Sequence, residues 1–506
     1  MRLVFDGLGP LQPTSGGGRM QVLRRFMRLS VVVCLTGCGA ADFNLPGADG
    51  NEARYTSIYP DYVEFCALSQ INKKEGYGAD IRGEMGGHSV FYLSDACRDP
   101  KTDYPVLQLC GPGTGASVGG TSAIGAQTGA SQTGASQTGA NQTGANQTGA
   151  NQTGANQTGA DQTDGVGITM NSHFRNAKWA AVPGRAFFFD GGLPRDHGLT
   201  RTDYVRAKEQ AKELGLYRAI TFHSWVFDDK PDDVSREDWK YEVSIATDYA
   251  ISFGRGRYCV RIPVTRAQTA RMVAFLNAQN APYREGKEVF EWSIFQDNCI
   301  HLAHNALTAA GVWRQWPIDM PLLFAIFDFP VPKNEFVNIM RRMNDPPDVD
   351  LLAIYHDETA AQSLAEFGRL PWVPGVVAED RPPQEPNEVY DTDLALIFYD
   401  DPVTGRYQRR FDAIFSDPRN LSVRQNLAYF AALYRRMGAD RKPLDTWLAR
   451  SEFRAPAERQ KFTDFYHRFY AYLDHERTEI AANLERLAVL ASADGAPSPH
   501  AEVVPH

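Results

Sequence analysis

Cys299 is the residue best placed to act as a nucleophile. It lies in Phe295-Gln-Asp-Asn-Cys-Ile-His-Leu-Ala-His-Asn305, which continues to Gly311. Asp297 and Asn298 favour a helix start, Leu302, Ala303, Ala306, Leu307 and Ala309 favour its continuation, and Gly311 offers a stop. A strand-like run (Trp292, Ile294, Phe295) precedes it. Cys299 is thus predicted in the first helical turn. Amides there lack intrahelical partners and the helix dipole favours negative charge, so a thiol at that point is expected to ionise readily and act as a nucleophile. The plainer reading is a small buried side chain in an amphipathic helix.

A thiol nucleophile needs a base. His88 follows Gly86-Gly87 and opens the β-rich run Ser89-Val90-Phe91-Tyr92-Leu93, while His223 lies inside the apolar run from Ala219 to Phe227. His88 is the preferred base, because a Gly-Gly step lets the chain approach a neighbouring helix and the alternation after it turns one face inward. His223 is the alternative base, or else a core histidine satisfied by a hydroxyl or carbonyl. His301 and His304 share a helix face and raise a metal reading. Cys299 and His301, however, are two residues apart and point about 200° apart on a helix, which argues against three ligands in one turn. Neither a metal nor a cofactor is expected.

The compartment bears on the cysteines. From Met20 the sequence has a basic segment, then a short apolar run ending at Cys38. That run is too short to span a bilayer as a stable helix and reads as an export signal. Leu35-Thr-Gly-Cys38 resembles the bacterial lipobox, which implies cleavage before Cys38, lipid on that residue and a membrane-anchored envelope protein. Gly39 leans towards the outer membrane by analogy with enteric sorting. Met1 to Arg19 lacks signal character, so Met20 is a candidate true start. Cys34 would leave with the signal, and Cys66, Cys97, Cys110, Cys259 and Cys299 would meet an oxidising environment. Five is odd, so one thiol stays free if four pair, and Cys299 is the candidate. Cys97 and Cys110 flank a predicted strand pair and form a plausible bridge.

The elements that must position these residues occupy a chain of 506 residues, with room for two or three domains. A 43% hydrophobic content can fill a core, and a formal charge of -9 gives no general electrostatic reason to bind nucleic acid. After the signal (1–37) and a tether (38–54), segments 55–110 and 166–315 are expected to form one α+β unit, since neither half alone supplies a complete sheet. Between them, 111–165 carries seven copies of Gly-Ala-Xaa-Gln-Thr from Gly129 to Thr163. Having no large apolar residue, the repeat cannot bury a core and is expected to form a disordered or extended loop. Strands are predicted at 104–109, 166–174, 219–227 and 258–264, with a turn between two more at 179–189. Helices are predicted at 201–214 and, from the capping box Thr265 to Gln268, through about Asn277. Segment 316–492 is Pro-rich, then has a predicted hairpin at 394–411, then helices. In the latter, Val423, Leu427, Phe430 and Tyr434, and Phe462, Tyr466, Phe469 and Leu473, recur at helical spacing as core stripes. A polar tail, 493–506, follows.

Gly87-His88-Ser89 early, strands between, and Phe295-Xaa-Asp-Asn-Cys299 opening a helix late together resemble the circularly permuted papain-like proteins of the NlpC/P60 superfamily. The resemblance implies a permuted papain-like sheet-plus-helix domain, interrupted by the repeat and followed by a mainly helical C-terminal domain. It implies Cys299 as nucleophile, His88 as base, and a polar residue on the next strand, Asn171 or His173, orienting the imidazole. The implied reaction is acyl transfer, by hydrolysis or exchange at an amide or ester carbonyl of a cell-wall peptide or a lipid. A non-catalytic, membrane-anchored binding or structural lipoprotein is the alternative.

Overall fold

The computed structural model describes residues 48–77, 87–110, 165–319, 321, 331–346, 350–392 and 407–494. The signal segment, Cys38, the repeat and most of the predicted 394–411 hairpin lie outside these residues. In chain order the elements are α1 (Ala48–Ile58), β1 (Tyr62–Leu68), β2 (His88–Leu93), β3 (Ala96–Arg98), β4 (Leu107–Leu109), β5 (Val166–Thr169), β6 (Ala180–Pro183), α2 (Arg185–Asp190), α3 (Arg201–Glu213), α4 (Arg236–Ser244) and β7 (Arg257–Pro263). There follow α5 (Arg266–Arg284), α6 (Cys299–Ala309), α7 (Pro332–Asn344), α8 (Leu351–His356), α9 (Glu358–Phe367), β8 (Val377–Arg381), α10 (Tyr407–Ser416), α11 (Val423–Ala439), α12 (Leu444–Leu448) and α13 (Pro456–Asp494).

The fold is α+β. Its main sheet is antiparallel, in the order β6-β5-β2-β1-β7-β8, and β3 and β4 make a separate ribbon. Every residue of β1 and β2 is buried, so the sheet is covered on both faces rather than alternating between core and water. On one face α6 packs on β2, and α7 packs on β1 and β7. On the other lies α2, where Phe188 sits directly over Gly167; a Cβ on Gly167 would come within 2.2 Å of that ring. Phe91 lies opposite Ile168 and Tyr92 opposite Gly167. Side chains alternate along a strand, so His88, Val90 and Tyr92 leave the α2 face and Ser89 leaves the α6 face.

Two disulfides stitch this layer: Cys66–Cys259 joins β1 to β7, and Cys97–Cys110 brackets the small ribbon. Cys299 is left free, as the odd count anticipates. The sixth strand of the sheet, β8, comes from beyond residue 315, where the sequence places the end of the α+β unit. A second apolar core forms among α8, α9, α11, α12 and α13, where Leu427, Phe430 and Tyr434 meet Phe462, Tyr466 and Phe469 as their helical spacing predicts. Among the described residues no helix is long and apolar enough to cross a membrane.

Several local expectations are corrected. Residues 219–227 do not form a strand. Phe222 makes a single bridge to Phe174, and Ser224–Phe227 is a 3-10 turn, because Trp225 and Val226 pack against neighbouring side chains instead of a strand partner. The run before Cys299 holds only one bridge, Ser293 to Asp297. Phe187, Phe188 and Phe189 lie on helix α2, not in a turn between strands. Residues 407–416 are helical, with Phe411 and Ile414 buried at helical spacing.

Candidate active site

Asn298 caps α6 as predicted. Its Oδ1 accepts from the amides of Ile300 (2.9 Å) and His301 (3.2 Å), and its own amide donates to His301 Nδ1 at 3.4 Å, which closes a capping box. His301 is therefore a cap partner. His304 faces an acceptor with each ring nitrogen, Glu335 Oε1 at 2.9 Å and the Arg314 carbonyl at 3.0 Å, and its ring lies flat between Trp313 and Trp316. Both nitrogens are thus already engaged within the protein, and neither is turned to an open metal position. Among the described residues, the remaining metal-like cluster is Glu64 with Cys66 and Cys259, whose sulfurs are joined to each other.

The Cys299 thiol is buried beside Ser89. Burial pushes the thiol above the usual cysteine range; the hydroxyl and amide of Ser89 and the amides of Cys299 and Ile300 pull it back without winning. This corrects the expectation of an easily ionised thiol. The helix mouth is present, but loss of water outweighs it.

His88 is buried on the opposite face of β2. Its Nε2 lies 3.2 Å from Thr169 Oγ1, and that hydroxyl donates to Asp248 Oδ1 at 3.1 Å. A hydroxyl has one proton, so Thr169 accepts from His88, Nε2 carries the imidazole proton, and Nδ1 is the basic nitrogen. Asn171 Nδ2 also donates to Thr169 Oγ1 (3.1 Å) and to Asp248 Oδ1. His173 Nε2 (2.9 Å) and the Tyr217 hydroxyl (3.0 Å) hold Asp248 Oδ2. Burial drives His88 down to about 4, against the pull of Asp248, so its ring is neutral near pH 7. Burial also pushes the Asp248 carboxyl up, but the imidazoles of His173 and His88 and the Tyr217 hydroxyl prevail and hold it below the usual range.

The residue that orients His88 is thus Thr169, the last of β5. Asn171 and His173 lie just past the strand and act on Asp248, Asn171 also on Thr169. Asp248 is the residue the sequence reading missed. It sits between Ala246 (φ 62°) and Ala250 (φ 50°), two residues held in a backbone conformation that L side chains rarely adopt. Its one sequence signal is an acid inside the apolar run Val243 to Ile251. His223 goes elsewhere: its Nε2 donates to the Phe290 carbonyl at 2.9 Å, the satisfied-histidine arrangement.

The structure therefore brings together His88, Thr169, Asn171, His173, Tyr217 and Asp248 on one side of β2. It brings Cys299 to Ser89 on the other, one residue along the chain from His88. Among the described residues the imidazole and the thiol make no contact. In comparisons with protein-family models, curated proteins and solved structures, no family, protein or structure matches the chain.

Proposed function

We propose that this is an envelope lipoprotein, anchored through Cys38, whose permuted papain-like core performs cysteine-dependent acyl transfer. The observation that carries the reading is the one free cysteine among the described residues, standing at a helix mouth beside Ser89. The next residue along β2 is a histidine whose tautomer is fixed with Nδ1 basic. In this reading His88 Nδ1 takes the Cys299 proton and the sulfur attacks an amide or ester carbonyl. The Cys299 amide at the helix mouth stabilises the oxyanion. The leaving amine or alcohol takes the proton back from His88, and water or an amine then releases the acyl group from the sulfur. The substrate class is a cell-wall peptide or a lipid acyl group. Transfer requires the start of β2, next to Gly87 with φ 83°, to turn over so that the His88 ring gives up its Thr169 bond and crosses to the sulfur.

A second reading has its own observation. The imidazole and the thiol leave opposite faces of β2 and the thiol is held neutral, the arrangement of a binding or structural module that retains a core cysteine. Labelling the purified protein with an acyl-mimicking thiol probe separates the two. Catalysis predicts labelling at neutral pH that is abolished in Cys299→Ala and slowed by roughly 100-fold in His88→Ala. Labelling that requires unfolding, at a rate indifferent to His88→Ala, selects the module.

A further inference from the structure

Where the long helix α13 passes the end of α9 and the start of α5, a cavity of about 290 Å³ opens between the two cores. At ~30 Å³ per water, this is room for a small organic molecule with some solvent. Its wall includes Tyr59, Phe367, Arg369, Glu476, Glu479 and Asn483.

Two of these side chains carry opposite charges and make no direct ion pair, although the Arg369 guanidinium pulls on the Glu476 carboxyl through space, against the burial that raises it. Glu476 is only 8% exposed, yet its carboxylate accepts no hydrogen bond and joins no ion pair among the described residues. The Arg369 guanidinium reaches the Pro263 carbonyl at 3.4 Å and likewise joins no ion pair. A buried carboxylate without a partner is costly, and direct pairing across the cavity is the cheap way to relieve it. Glu476 and Arg369 instead stand on the wall without direct contact, with Glu479 adding a second carboxylate one helical turn from Glu476.

We propose that this cavity binds a small zwitterion of the amino-acid class, its ammonium on Glu476 and Glu479 and its carboxylate on Arg369. Phe367 offers an apolar surface to the ligand side chain, and the Tyr59 hydroxyl and Asn483 side chain, hydrogen-bonded to each other, complete the polar wall. The site is separate from Cys299 and does not depend on the acyl-transfer reading.

The test is calorimetric titration of the full chain with L-alanine, D-alanine and L-leucine, alongside alaninamide and N-acetylalanine, which each lack one of the two charges. The expected result is saturable one-to-one binding of at least one free amino acid. Affinity is expected to fall by roughly tenfold or more when either end is blocked. Glu476→Gln and Arg369→Met are each expected to weaken binding by a similar factor, with circular dichroism confirming the fold. Glu479→Gln, at an exposed position, keeps the test open should Glu476→Gln not fold, and is expected to weaken binding too. Absence of binding by all three amino acids, equal binding of the blocked forms, or wild-type affinity in Arg369→Met together with Glu479→Gln overturns the proposal.

Discussion

At Cys299 two effects oppose each other. Amides at the α6 mouth and on Ser89 favour a sulfur anion, while burial disfavours it, and burial is the larger. Removing the Ser89 hydroxyl in Ser89→Ala takes away one favourable contact without adding water. The pH at which Cys299 reacts with a small alkylating reagent is expected to rise, and a rate-against-pH profile reads it. Asp248 is expected to matter more. Asp248→Asn removes the charge that Thr169, Asn171, His173 and Tyr217 converge on. It should cost on the order of 3 kcal/mol in urea unfolding. If His88 is the base, it should also slow probe labelling of Cys299 beyond that loss of stability.

Histidine burial also sets the acid response. His88 and His301 are each lowered by burial from an ordinary 6.5 to about 4. The unfolded chain therefore binds protons that the folded chain refuses as pH falls below 6.5. Stability from these rings is fully present above pH 6.5 and drains away between there and about 4, by on the order of 3 kcal/mol per ring at most. Urea midpoints taken across that range check the sign: a flat profile from pH 7 to 4 contradicts it, and His88→Gln should remove part of the slope.

Among the elements, α6 depends on its cap. Asn298 satisfies two amides and exchanges a bond with His301, so Asn298→Ala is expected to cost about 1–2 kcal/mol and to loosen the turn that carries Cys299. This cap was legible in the sequence because it depends on residues within three positions of one another, and so was the Thr265 box that opens α5. Elements fixed by distant partners were not. The run at 219–227 has a strand's composition, but its neighbours are Phe174, Trp239 and the 173–176 backbone rather than a ladder. Strand β8, Val-Ala-Glu-Asp-Arg, reads as polar because Glu379 and Arg381 find charged partners on the α2 face: Arg261 pairs with Glu379, and Arg381 pairs with Glu379 and Glu52. Asp248 was invisible for the same reason, since its meaning comes from Thr169 and His173, more than seventy residues away.

For the molecule as a whole, the two halves of the α+β layer meet in the central sheet: β1 and β2 come from before the repeat, β5, β6 and β7 from after it, and β8 from still further along. Cys66–Cys259 fastens that arrangement across 193 residues of sequence, with both partners fully buried. Replacing the pair by Ala or Ser is expected to lower stability by about 2–5 kcal/mol, read as a shift in the denaturant midpoint of the oxidised protein.

The same covalent link turns everything from residue 66 to residue 259, the Gly-Ala-Xaa-Gln-Thr copies included, into a closed ring. A protease that severs one peptide bond between Cys110 and Gly165 therefore opens the ring without releasing either piece. Such a nicked chain would migrate as one band until a reductant is added and as two afterwards.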